Sequence, residues 1–130
     1  NELTNAILND FKNLKKISNI VHPLVRKKLN NFLIKNKKKK LVILDIPLFI
    51  ENKLNKKNDI LVYIEAKKTD IQKKLKKRKN SNKKILQNLR RIQLPLSKKK
   101  KISNFILINN FRIKSVQKDI IIIKKKILNK

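Results

Sequence analysis

Three places in this 130-residue chain combine polar side chains in ways that could do chemistry. Asp45, Pro47 and Glu51 follow the apolar run Leu41-Val42-Ile43-Leu44, where a strand of a parallel sheet would end. Ligands of open parallel sheets bind beyond the carboxyl ends of the strands, where loops present polar groups. The plainer reading is that Asp45 caps the following turn and Glu51 is a surface charge. His22, the only histidine, precedes Pro23. A histidine so placed more often caps or packs than acts as a base. No Ser/His/Asp or metal-ligand cluster accompanies it, so hydrolytic or metal chemistry has no support. Arg78 ends a stretch containing Lys73, Lys74, Lys76 and Lys77, just before the turn-prone Asn80-Ser81-Asn82. A guanidinium there could clamp phosphate oxygens bidentately and neutralise charge that builds up in phosphoryl transfer. The competing reading is one more solvated cation.

The elements that would position these residues alternate. Apolar runs predict strands near 41–46, 59–65 and 104–109, each apolar on both faces as in a covered parallel sheet. Helices are predicted near 23–36, 69–78, 83–93 and 113–127. Val25, Leu29, Phe32 and Leu33 make one helical stripe, and Pro23 suits the first turn of that helix. Ile113, Val116, Ile120, Ile123 and Ile127 make another. A break is expected at Asn80-Ser81-Asn82. The alternation implies βαβ units and one α/β domain over residues 1–130.

Composition narrows the partners. The formal net charge of +29 invites nucleic acid, since phosphate backbones reward clustered cations. Lys, however, supplies 32 of the 37 basic residues, Asn (18) and Ile (21) are inflated beside it, and glycine is absent. A/T-rich codons explain that whole profile, whereas selection for phosphate binding would favour Arg. There is one Tyr and no Trp, and the Phe residues sit in apolar segments rather than interleaved with Arg, so no specific nucleic-acid partner is expected. No apolar run approaches the length of a membrane span and no signal peptide is visible. The lack of cysteine excludes disulfides and thiolate metal sites and is compatible with a reducing cytoplasm, the expected location.

In order and spacing, Ile20-Val21-His22-Pro23-Leu24-Val25-Arg26 followed by Leu44-Asp45-Ile46-Pro47-Leu48-Phe49-Ile50-Glu51 resembles the dephospho-CoA kinases. The likeness continues through Thr69 to Arg78, through Gln93 with Leu94-Pro95-Leu96 behind it, and to Ile108-Asn109-Asn110-Phe111. There the family typically has Asp-Asn-Asn-Gly. The resemblance implies a three-layer P-loop kinase fold with a parallel sheet and a helical lid at about 69–95. It also implies phosphorylation of the ribose 3′-hydroxyl of dephospho-CoA by ATP with Mg2+. His22, Arg26, Asp45, Pro47, Leu48 and Glu51 would lie on the dephospho-CoA side. Arg78 would be the catalytic cation, Lys74 would stand beside it where the family usually has Arg, and Gln93 would belong to the lid.

Two features of such a kinase have no counterpart in these residues. A Walker A loop needs glycines, and the aspartate that activates the ribose hydroxyl follows that loop. The expectation is therefore a chain that lacks the first strand and the P-loop and is inactive alone, its activity belonging to a longer parent. The alternatives are a small Lys-rich nucleic-acid-binding protein and another P-loop nucleotide kinase.

Overall fold

The computed structural model describes residues 2–10, 12–78 and 83–129. The break expected at Asn80-Ser81-Asn82 lies outside them. The chain divides into two compact units, Asn1–Leu54 with Asn82–Gln93 and Asn55–Ser81 with Leu94–Lys130.

The first unit is helical. Helix α1 (Glu2–Asn9) packs against α2 (Lys12–Lys35). An Asx turn joins them, with the Lys12 N–H donating to Asp10 Oδ1 at 2.8 Å and the Asn13 amide donating to the Ala6 carbonyl at 3.0 Å. Pro23 was expected in the first turn of a helix, but it lies in the interior of α2. A proline there removes one backbone hydrogen bond and costs about 3 kcal/mol or more. The sequence offsets that cost with a stripe that continues across it. Leu14, Ile17, His22, Val25, Leu29 and Leu33 are half-buried at helical spacing. Asn36 ends the helix, its side-chain amide donating to the Phe32 carbonyl at 2.8 Å.

The segment 41–46 is not a strand, contrary to expectation. Its burial still alternates with period two, Val42, Leu44 and Ile46 half-buried and Leu41, Ile43 and Asp45 exposed. A strand exists only by pairing, and among the described residues this run has no ladder partner. The turn that follows places two non-glycine residues in the left-handed region, Leu48 (φ 55°) and Lys53 (φ 52°). That conformation costs an L-residue about 1–2 kcal/mol. Lys53 is exposed, so Lys53→Gly should raise the stability of the chain by about 0.5–1 kcal/mol even after glycine's entropic cost. Lys53→Ala should not. Urea melts of the two variants test this, and equal midpoints would show that no strain is stored there.

The second unit holds the sheet. Strand β1 (Val62–Glu65) pairs in parallel with β2 (Phe105–Ile108), Val62 opposite Phe105 and Ile64 opposite Leu107. Both strands are shorter than expected, and among the described residues the sheet has two strands where three were expected. Asn104 extends the pairing, its N–H donating to the Leu61 carbonyl and its Oδ1 accepting from the Leu61 N–H, both at 2.8 Å. The crossover between the strands includes α3 (Lys68–Lys76), α4 (Lys83–Ile92) and α5 (Leu96–Ile102). Of these, α4 belongs to the first unit, where it packs on α1.

Helix α5 was not foreseen. Four of its seven residues are Lys, and its apolar ends, Leu96 and Ile102, are both exposed, so no amphipathic stripe announces it. Lys100 instead grips both carboxylate oxygens of Glu65, at 2.9 and 3.0 Å, an exposed pair whose contribution is under about 1 kcal/mol. Helix α6 (Ile113–Leu128) packs against β2. Its half-buried stripe runs through Val116, Ile123 and Ile127, while Ile113 and Ile120 stay exposed. The core is thin. Leu107 is the one buried residue among those described, and Val62, Ile64, Ile106 and Ile108 turn outward from the sheet at 40–60% exposure.

The turn from β2 into α6 is built by two Asx hydrogen bonds. Asn109 Oδ1 accepts from the Phe111 N–H at 2.9 Å and Asn110 Oδ1 from the Arg112 N–H at 3.0 Å. Phe111 itself has φ 60°. Glycine would hold that conformation without the steric cost a Cβ brings.

Candidate functional site

In the first unit a concavity of about 430 Å³ opens between α2 and the segment that follows it. From α2 it is lined by Val21, His22, Val25 and Arg26, which follow helical spacing and so share one face. From the chain after α2 it is lined by Asp45, Ile46, Pro47 and Leu48, then by Asn52 and Leu54. His22, Leu48 and Asn52 are half-buried, whereas Asp45, Pro47 and Arg26 are exposed. Arg26 ties the two sides together, its Nη2 donating to the Asn52 carbonyl at 3.3 Å. The Asn52 N–H donates to the Leu48 carbonyl at 3.0 Å, and the Leu54 N–H to the Phe49 carbonyl at 3.0 Å, which closes the turn.

Five of the six residues assigned to the substrate side from sequence therefore share one concavity. Glu51 is half-buried and lies outside the lining. The sequence reading missed Val21, Val25, Ile46, Asn52 and Leu54. Val21 and Val25 were legible in principle, since they stand one residue before His22 and Arg26 at the same spacing of four. Asn52 and Leu54 were not, because the turn that brings them round runs through left-handed residues other than glycine.

The expected phosphate-side cations lie in the second unit. Arg78 is exposed at the carboxyl end of α3, its N–H donating to the Leu75 carbonyl at 3.1 Å. Lys74 is exposed on α3, its Nζ 5.2 Å from the centroid of the Phe111 ring, a cation–π contact. Gln93 is exposed in the first unit, its N–H donating to the Arg90 carbonyl at 3.3 Å. The lysines are solvated. Of those whose surroundings are described, all but Lys99 are exposed, and they occur on helices and loops of both units. Among the described residues no group of His, Cys, Asp or Glu could hold a metal ion. No helix among them is long and apolar enough to cross a membrane.

The sequence model of the dephospho-CoA kinases matches residues 1–115. The chain belongs to the dephospho-CoA kinase family. A dephospho-CoA kinase of Bartonella quintana is 31% identical over 108 residues, 82% of this chain and 55% of the relative. One of Wolbachia pipientis is 34% identical over 98 residues, 74% of this chain and 50% of the relative. One of Bartonella henselae is 27% identical over 129 residues, 98% of this chain and 66% of the relative. The chain thus spans between half and two thirds of the length of these dephospho-CoA kinases. The matches favour neither the nucleic-acid-binding nor the nucleotide-kinase alternative. The helix-rich α/β architecture with a small parallel sheet is consistent with a kinase-like fold.

Proposed function

We propose that these residues are part of a dephospho-CoA kinase, which transfers the γ-phosphoryl group of ATP to the ribose 3′-hydroxyl of dephospho-CoA and so forms coenzyme A, the last step of its biosynthesis. The match of the family's sequence model to residues 1–115 carries this reading. The concavity supports it, because it gathers side chains the family likeness assigns to the acceptor substrate. In this reading all 130 residues belong to one kinase domain of the three-layer P-loop type, with a lid at about 69–95. The first strand and the phosphate loop come from residues other than these, none of which is glycine. The proposed location is the cytoplasm.

The reaction is an in-line displacement in which the hydroxyl oxygen attacks the γ-phosphorus as the bond to the bridging oxygen of ADP breaks. Mg2+ arrives with ATP as part of the substrate and neutralises its phosphates. The chain's own contribution is to hold the acceptor and to supply cations. His22, Arg26, Asp45, Pro47, Leu48 and Glu51 orient dephospho-CoA. Arg78, with Lys74 beside it, faces the migrating phosphoryl group, and Gln93 belongs to the lid. Without backbone amides to cradle the ATP phosphates, the 130 residues alone should not turn over, since positioning and neutralisation are nearly all of this catalysis.

The test is to complete the chain with a Walker A segment and its downstream aspartate from a related kinase. In the completed enzyme His22→Ala and Asp45→Ala should each raise KM for dephospho-CoA about tenfold, the loss of a single good polar contact, and leave kcat within about threefold. An unchanged KM in both variants, or a completed enzyme that phosphorylates nucleoside monophosphates in preference, would defeat the reading.

A further inference from the structure

We infer that the concavity of the first unit takes the aliphatic pantetheine arm of dephospho-CoA, and that Val21, Val25 and Leu54 determine specificity for it. The inference rests on the proposed function and goes further by dividing the substrate between an apolar end and a reacting one. Dephospho-CoA is linear. A reactive adenosine ribose stands at one end, a diphosphate in the middle and the arm, with its geminal dimethyl group and two amides, at the other. The end that reacts must stay reachable by the phosphoryl donor, so an aliphatic recess away from the chemistry suits the end that does not react.

The lining agrees with that division. Its walls are mainly branched aliphatic side chains, Val21, Val25, Ile46, Leu48 and Leu54, and they include no Phe, Tyr or Trp, the broad platforms on which a purine stacks best. The polar groups are His22, Arg26, Asp45 and Asn52, mixed in character as amides require. The half-buried His22 and Asn52 can each donate or accept, depending on tautomer and orientation. Arg26 is the one cation in the lining. It is exposed and bonded by one nitrogen to the Asn52 carbonyl, which leaves other guanidinium donors for a diphosphate. At about 430 Å³ the cavity lies toward the lower end of the range for small-molecule sites, in keeping with part of a substrate rather than the whole.

The chain carries its own reporter, because its single histidine lies in this lining and gives one set of imidazole NMR signals. Pantetheine is the decisive probe. It is uncharged, so it cannot be held by the net +29 of the chain, as any anionic nucleotide can be. Titrated into the 130-residue chain, pantetheine should shift the His22 signals saturably in the ~millimolar range and should compete with dephospho-CoA. ADP, which shares everything but the arm and meets the lining only through Arg26, should move His22 less than pantetheine does once salt screens non-specific binding. Val25→Thr, nearly isosteric, should weaken pantetheine about fivefold with the helix content unchanged. Should that variant lose helix, the competition on the wild-type chain still decides. If dephospho-CoA moves His22 while pantetheine does not, or if ADP moves it as strongly, the arm is elsewhere and this inference falls while the kinase reading stands. If dephospho-CoA itself leaves His22 unmoved, the substrate-side reading of this concavity falls and takes the inference with it.

Discussion

In a kinase completed with a phosphate loop, Arg78→Ala should cost about two to three orders of magnitude in kcat. A preorganised donor aimed at developing charge typically contributes that much, and a guanidinium opposite a migrating phosphoryl group contributes as much or more. The loss should fall on kcat rather than on KM for ATP, because the interaction strengthens as charge spreads over the phosphoryl oxygens. Arg78→Lys should recover part of the rate, keeping the charge while losing the two-pronged geometry. The exposed setting of Arg78 at the end of α3 makes it tolerant of substitution, so a fall in rate would not be a fall in stability. Single-turnover rates measured beside a thermal melt of the variant separate the two. Should Arg78→Ala leave kcat unaltered, Arg78 is a surface cation like its lysine neighbours.

The largest stability effect should come from Leu107→Ala. Leu107, at 7% exposure, is the one buried side chain among the described residues and stands opposite Ile64 in the parallel ladder. Truncating a buried leucine costs about 2–5 kcal/mol, and the lower half applies here because so many of its apolar neighbours on the strands already meet water. In so thin a core a loss of about 2–3 kcal/mol would consume a large part of the stability of the unit. Tyr63, the only tyrosine in a chain without tryptophan, lies on β1 and reports unfolding of this unit by fluorescence. Leu107→Ile should cost less than about 1.5 kcal/mol. A Leu107→Ala midpoint within about 0.5 kcal/mol of the parent would mean that helix α6 and the sheet are held by something other than this side chain.

What the sequence disclosed follows from which signals are local. Helices α3, α4 and α6 could be placed nearly to the residue, because period-3.6 stripes and basic last turns mark them, whereas α5 carries no such stripe. Pairing is not local. The run Leu41 to Ile46 has the composition and the alternation of a strand, and only a partner was missing. Pro23 misled in the opposite way, since its preference for a first turn concealed a stripe that runs on from Leu14 to Leu33. At the site, His22 and Asp45 were legible as order and spacing. Of the aliphatic walls, Val21 and Val25 could be read from their spacing beside His22 and Arg26, whereas Leu54 could not, because it reaches the site only through a turn of left-handed residues other than glycine.

The two strands have a consequence for how copies of the chain behave toward one another. Among the described residues β1 and β2 are each other's only partners, so each has an outer edge of unpaired backbone groups beside exposed Val62, Ile64, Ile106 and Ile108. Such a ribbon is a template for any second ribbon, and natural proteins blunt these edges with charge, lysine above all. Here the whole chain supplies that guard through mutual repulsion of molecules bearing +29. The guard reaches only as far as the ionic atmosphere permits, about 10 Å at 0.1 M salt and about 3 Å at 1 M. Colloidal stability of this chain is thus a property of the solution as much as of the fold, and ionic strength is the variable that sets it.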